Sequence, residues 1–206
     1  GKHLSDLTDT LEKTYVDPLE AANETWAIAA MDLSDHAYST VNAEVSMQSA
    51  SVIKAFIMAA VFDKLVYTDG ATEPSSDYEN SLKSLLTQMI TVSDNAAANS
   101  LTMLLGNGDE ETGRKAVETW AASIGCENVA YHRLMLAEND LQNYVTAQDC
   151  AEILRQIYKK TCISEAASEK MLQLLENQQV NDRLPLLLPE NVTVAHKTGN
   201  LSGICI

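Results

Sequence analysis

The chain has 206 residues, 46% apolar and 21% charged, which is ample for one large domain with a core or for two small ones. Its formal net charge of -15 excludes a broad nucleic-acid surface, because nothing would offset phosphate repulsion. Its apolar runs fall well short of the roughly 18 to 20 residues that a spanning helix needs, so no membrane-crossing segment is expected.

No cationic stretch followed by an apolar one opens the chain, and any export signal is expected to lie outside it. Leu4, Leu7, Leu11 and Tyr15 recur at helical spacing and predict a surface helix with one docking face. After Pro18, the runs Glu24 to Leu33 and Ala37 to Val45 flank a Ser34-Asp35-His36 turn and predict a β-hairpin. Within Ser46 to Leu65, Ser51 starts a helix ended by Thr68-Asp69-Gly70, with an almost unbroken apolar run after Lys54. Glu73 to Glu79 reads as a loop.

Helical periodicity then runs from Ser81 to Leu105, but Ser93, Asp94 and Asn95 are better caps than helix interior, so a break is placed there. Gly106-Asn107-Gly108 ends the second of these helices, and Glu110 to Ile124 predicts another, stopped by Gly125. Cys126 to Val145 has no steady period and reads as a long loop, a class of segment that is often functional. Thr146 caps a helix reaching Tyr158, and Glu165 to Glu176 forms one more. Residues 177–189 read as a connection, followed by a short strand at Val192 to Ala195 running into His196-Lys197-Thr198-Gly199-Asn200. Trp26 and Trp120 sit in apolar settings and read as core. Cys126, Cys150, Cys162 and Cys205 lack metal-ligand or dense disulfide spacing and read as free buried thiols. His36, His132 and His196 have no second ligand at a helical or turn spacing, so no metal and no cofactor is expected.

The chemistry is concentrated in three short motifs. Ser51 and Lys54 stand three residues apart, on one face of a helix and within hydrogen-bond reach. A serine-x-x-lysine match alone is weak, since roughly one arises by chance in a chain of this size. Ser93-Asp94-Asn95 and Lys197-Thr198-Gly199 are each expected only a few hundredths of a time, roughly, at average usage. Their joint occurrence in this order, at a helix start, an interhelix turn and a strand, is what carries weight. A serine hydroxyl is a poor nucleophile until a nearby base takes its proton. Lys54 can act so only when neutral, and burial beside a second cation such as Lys197 would favour that state. The two lysines would also give an acidic protein a local cationic pocket for a small anionic substrate.

These motifs resemble those of the penicillin-recognising serine hydrolases, the class A β-lactamases and related penicillin-binding proteins, over about Trp26 to Gly203. The resemblance implies an α/β (α+β) fold, an antiparallel sheet flanked by helices. It implies a single domain, with residues 1–50 and 185–206 forming the sheet part and 51–184 a mainly helical part. It makes Ser51 the acylated nucleophile, Lys54 its base or relay, and Ser93 the proton shuttle to the leaving nitrogen. Asn95 would hold the substrate's side-chain amide, and Lys197 and Thr198 its carboxylate. Gly199 would allow close backbone approach, and the amides of Ser51 and Asn200 would form the oxyanion hole. An extracytoplasmic location is also implied.

Two departures qualify the resemblance. The family's water-activating glutamate is expected in the loop before Thr146, two positions after the loop-anchoring arginine that Arg133 resembles, where this chain has Met135. Glu138 is the glutamate candidate for that role, and it reads more simply as a solvated loop acid. The asparagine expected four residues later is Gln142, with Asn143 next to it. In addition, relatives continue past the third motif with two strands and a helix, whereas this chain ends at Ile206. The expectation is truncation, proteolytic loss, or a remainder supplied by another chain, leaving unpaired strand edges and apolar surface. The function expected is acylation of Ser51 by a small-molecule β-lactam, with hydrolysis as a β-lactamase. A D,D-peptidase acting on D-alanyl peptides with slow deacylation, and a penicillin-sensing module, are the alternatives.

Overall fold

The computed structural model describes residues 2–206 and is helix-rich with small antiparallel ladders. Helix α1 (Lys2–Leu11) runs through a wide turn (Glu12–Val16) into the short α2 (Asp17–Glu20). Strands β1 (Ile28–Asp32) and β2 (Ala37–Val41) form the expected hairpin, with Ile28 opposite Val41 and Asp32 opposite Ala37. α1 lies across this hairpin, and the buried Thr8 hydroxyl bonds Ser39 Oγ. Trp26 is a correction to the expected core: it is 39% exposed and donates to Glu24 Oε2, while Trp120 is buried.

The helix predicted to start at Ser51 opens with a 3₁₀ turn over Ala50–Ile53 that leads into α3 (Lys54–Val61). Just before it, Met47 and Gln48 form β3, paired with β4 (Tyr144–Val145). Every residue of α3 is buried, as its all-round apolar sequence requires, and Phe62–Val66 extends it as a wide turn. Ile53, Phe56, Ile57, Met58 and Phe62 are fully enclosed, each contributing about 1.5–3 kcal/mol by burial. This rod is the centre of the core, and α4 (Lys83–Thr91), α5 (Asn95–Leu105) and α6 (Glu110–Ser123) pack against it.

Caps set the helix boundaries where the sequence placed them. Asp94 accepts from the Ala97 amide at the start of α5, Asp109 from Thr112 at the start of α6, and Thr146 from Asp149 at the start of α7 (Ala147–Tyr158). Ser164 caps α8 (Glu165–Glu176) in the same way. The loop from Cys126 to Asn143 is tied down by Tyr131, whose amide bonds Glu118, whose carbonyl takes Arg114, and whose buried hydroxyl meets Thr102 at 2.8 Å. Cys126, Cys150 and Cys162 are at least partly buried, Cys205 is exposed, and all four are free thiols.

The strand expected at Val192 to Ala195 is the main correction. These residues have no ladder partner, and the third motif lies on extended backbone rather than in a sheet. A hairpin follows it, β5 (Asn200–Leu201) with β6 (Ile204–Cys205), closed by reciprocal bonds between Gly199 and Ile206. Strand geometry is legible in sequence, but a strand exists only where a neighbour accepts its hydrogen bonds. Between Met31 of β1 and the adjoining Leu33 on one side, and Val194 and Ala195 on the other, lies an apolar groove of about 580 Å³, also lined by Leu154 and Leu172.

Candidate active site

The three motifs converge although about 40 and 100 residues separate them in sequence. Ala50, immediately before the candidate nucleophile, has φ 43°, and Ser93 has φ 59°. Both non-glycine residues sit in the left-handed region, which costs of order 1–3 kcal/mol each and concentrates at functional sites. The Ser93 conformation ends α4 and turns both its hydroxyl and its carbonyl toward α3, while Asp94 starts α5.

Lys54 Nζ is the hub. It lies 3.1 Å from Ser51 Oγ, 3.1 Å from Ser93 Oγ, 2.6 Å from Ser93 O and 2.7 Å from Asn95 Oδ1. Lys197 Nζ reaches Ser93 Oγ from the other side at 3.0 Å and its neighbour's carbonyl, Thr198 O, at 2.7 Å. Ser93 Oγ therefore bridges two amines. Burial lowers Lys54 to about 8 against a small opposing pull from Asp94. Lys197 is lowered to about 7 by burial first, then by the charges of Lys54 and Arg183. An amine poised near neutrality beside a hydroxyl is a general base that can also give its proton back.

Gly199 brings the third motif onto the candidate nucleophile. A Cβ there would stand 3.1 Å from Ser51 N and 3.1 Å from Ser49 O, so a side chain would press on the backbone at the start of the Ser51 turn. Because Gly199 and Ile206 form the hydrogen-bonded pair, the intervening Asn200 amide points away from β6. The amide of Ser51 is in a first helical turn and has no intrahelical acceptor. Asn200 and Ser51 both line a cleft of about 90 Å³ together with Asn95. Thr198 is buried beside Lys197.

Glu138 is not brought to this cleft: it is exposed, and the wall facing Ser51 is made by Arg133, Met135, Leu136, Gln142 and Asn143. Several positioning residues escaped the sequence reading. Asn99, an asparagine inside a helix, clamps Met135 through both its amide and its carbonyl. Its poor helix propensity was the available signal. Gln178 is buried and joins Ile90 O to His196 O, holding the third motif against α4. His196 Nε2 meets Asn181 Oδ1 at 3.1 Å. Arg183 bonds Asn200 Oδ1, adding a third cation near Lys197. Among the described residues no group of acids, histidines and cysteines could hold a metal ion.

The model of the β-lactamase enzyme family matches residues 7–69 and 67–205. The chain belongs to the β-lactamase enzyme family. The extended-spectrum β-lactamase PER-1 of Pseudomonas aeruginosa is 33% identical over 129 residues, a match covering 60% of this chain and 40% of that protein. The chain thus spans well under two thirds of that curated relative. A β-lactamase from Sphaerobacter thermophilus superposes with a TM-score of 0.71 at 24% identity, covering 92% of this chain and 78% of that one. One from Desulfarculus baarsii gives a TM-score of 0.73 at 17% identity, with the same coverage, and an ancestral class A β-lactamase gives 0.71 at 23%, covering 95% and 80%. At these identities the structures establish the class A β-lactamase fold.

Proposed function

We propose that this chain is a serine hydrolase whose Ser51 opens the amide of a β-lactam and carries the acyl group as an ester. The observation that supports this is one buried amine, Lys54 Nζ, within 3.1 Å of both the Ser51 and the Ser93 hydroxyls. Neutral Lys54 takes the Ser51 proton as Oγ attacks the carbonyl, and the oxyanion develops against the amides of Ser51 and Asn200. The C–N bond then breaks, and Ser93 passes a proton to the nitrogen while receiving one from Lys54. Lys197 and Thr198 hold the substrate carboxylate, and Asn95 turns its amide to the acyl side chain. A D,D-peptidase acting on D-alanyl peptides is the second reading, favoured by a cleft whose lining among the described residues includes no carboxylate. Either substrate class is met outside the cytoplasm, which makes an extracytoplasmic location part of the proposal. No helix among the described residues is long and apolar enough to cross a membrane.

Intact-mass spectrometry with benzylpenicillin tests the reading. The chain should gain the full mass of the drug, and Ser51→Ala should gain nothing. An adduct on Ser51→Ala would place the nucleophile elsewhere and sink the proposal.

The acylation rate should follow a bell in pH. Lys54 must be neutral, so its contribution rises as pH rises through about 8. Lys197 must be charged to hold a carboxylate, so its contribution falls as pH rises through about 7. The product of the two populations peaks between these values. A Lys197→Met variant should lose the descending limb and raise KM; a descending limb that survives would assign it to another group.

A further inference from the structure

Releasing an acyl group from Ser51 requires more than forming it. A water oxygen must bond to the ester carbonyl while the C–Oγ bond breaks; one proton leaves the water and one returns to Oγ. The departing proton needs an acceptor on the open side of the ester, where water can stand, and the buried Lys54 amine lies on the other side, enclosed by α3 and the Ser93 turn.

The open side is the wall built by residues 133–143, and its groups are fixed in place. Asn143 accepts from the His132 and Arg133 amides at 2.8 and 3.0 Å and donates to Arg133 O at 3.0 Å. Asn99 accepts from the Met135 amide at 2.8 Å and donates to its carbonyl at 3.1 Å. Leu136 follows with φ 60°, a conformation that a branched side chain adopts only when its surroundings demand it. This loop therefore presents Met135 and Leu136 to the cleft. A thioether and an alkyl group take no proton at neutral pH, and neither do the amides of Gln142 and Asn143. Arg133, on the same wall, is a permanent cation whose guanidinium reaches Leu134 O, Ala137 O and Gln142 Oε1. The acids of this loop, Glu138 and Asp140, are exposed and outside the cleft lining.

We propose that this site acylates and then holds: Ser51 keeps a β-lactam acyl group for times far longer than it takes to form, because the Met135–Leu136 wall puts no proton acceptor where the hydrolytic water must stand. The inference rests on the acylation reading above. It makes the chain a covalent β-lactam receptor rather than a rapid hydrolase. A carboxylate restored to that wall should restore turnover, since a positioned general base is typically worth ~10²–10⁴-fold.

The test follows the 206-residue chain by intact mass after a benzylpenicillin pulse and removal of free drug, with nitrocefin turnover measured in parallel. One equivalent of nitrocefin should be consumed in a burst, followed by a steady rate at least about 10²-fold slower. The benzylpenicillin adduct should persist, Met135→Glu should shorten its lifetime at least about tenfold, and Glu138→Gln should leave it unchanged. An adduct released as fast as it forms, or one lengthened by Glu138→Gln, overturns this inference while leaving acylation standing. A Met135→Glu adduct as durable as the wild type's, in a variant with an unchanged thermal melt, also overturns it. No adduct at all overturns the acylation reading, and this inference with it.

Discussion

A Lys54→Met variant should be acylated by benzylpenicillin at least about 10³-fold more slowly than the wild type, within the range expected for losing a positioned general base. Methionine keeps most of the aliphatic stem, so packing inside α3 changes little. What disappears is the amine that stands between Ser51 Oγ, Ser93 Oγ and Asn95 Oδ1. Lys54→Arg separates the two roles this amine could have. A guanidinium retains the positive charge but stays protonated, so it can polarise the site without accepting the Ser51 proton. If the base role is right, Lys54→Arg should be nearly as slow as Lys54→Met in single-turnover mass spectrometry. Wild-type acylation by either variant would assign deprotonation of Ser51 to another group.

The largest stability loss is expected from Gly113→Ala, one methyl group near the start of α6. In an isolated helix this change would be favourable by ~0.8–1 kcal/mol. Here the new Cβ would lie 2.0 Å from the carbonyl oxygen of Thr102 and 2.9 Å from its carbonyl carbon, both backbone atoms of α5. Thr102 cannot step aside, since it is buried, its hydroxyl bonds Ala98 O at 2.9 Å and its Oγ1 also meets Tyr131 at 2.8 Å. The two helices must part by about an ångström, in an interior packed to crystal density. Destabilisation of about 3 kcal/mol or more follows, which for a chain of this length lowers Tm by roughly 6–12 °C. Because α5 begins at the Asp94 cap, its displacement should also slow acylation. A Gly113→Ala melt at or above the wild-type Tm would show that the crossing is looser than this geometry requires.

Most of the helical framework was legible from local information. The 3.6-residue period marks α5 to α8, and the residues that end or start them, Asp94, Gly106, Gly108, Thr146 and Ser164, bond backbone groups within five positions. Where a feature needs a distant partner, that legibility stopped. Val192 to Ala195 has strand composition but no neighbour, and Trp26 sits in an apolar run yet lies 39% exposed at the entrance to β1. The same limit divides the site. The residue types and order of Ser51-x-x-Lys54, Ser93-Asp94-Asn95 and Lys197-Thr198-Gly199 stand in the sequence, and they sufficed to predict what chemistry to look for. Tertiary structure alone decided that Ser93 Oγ bridges the two lysines, that burial brings both amines toward neutrality, and that Gly199 is pressed on the Ser51 turn. It also decided that Glu138 faces solvent while Met135 faces the cleft. Side-chain identity is local, but desolvation and proton-transfer distance depend on which remote segments pack together, and no window of sequence contains that.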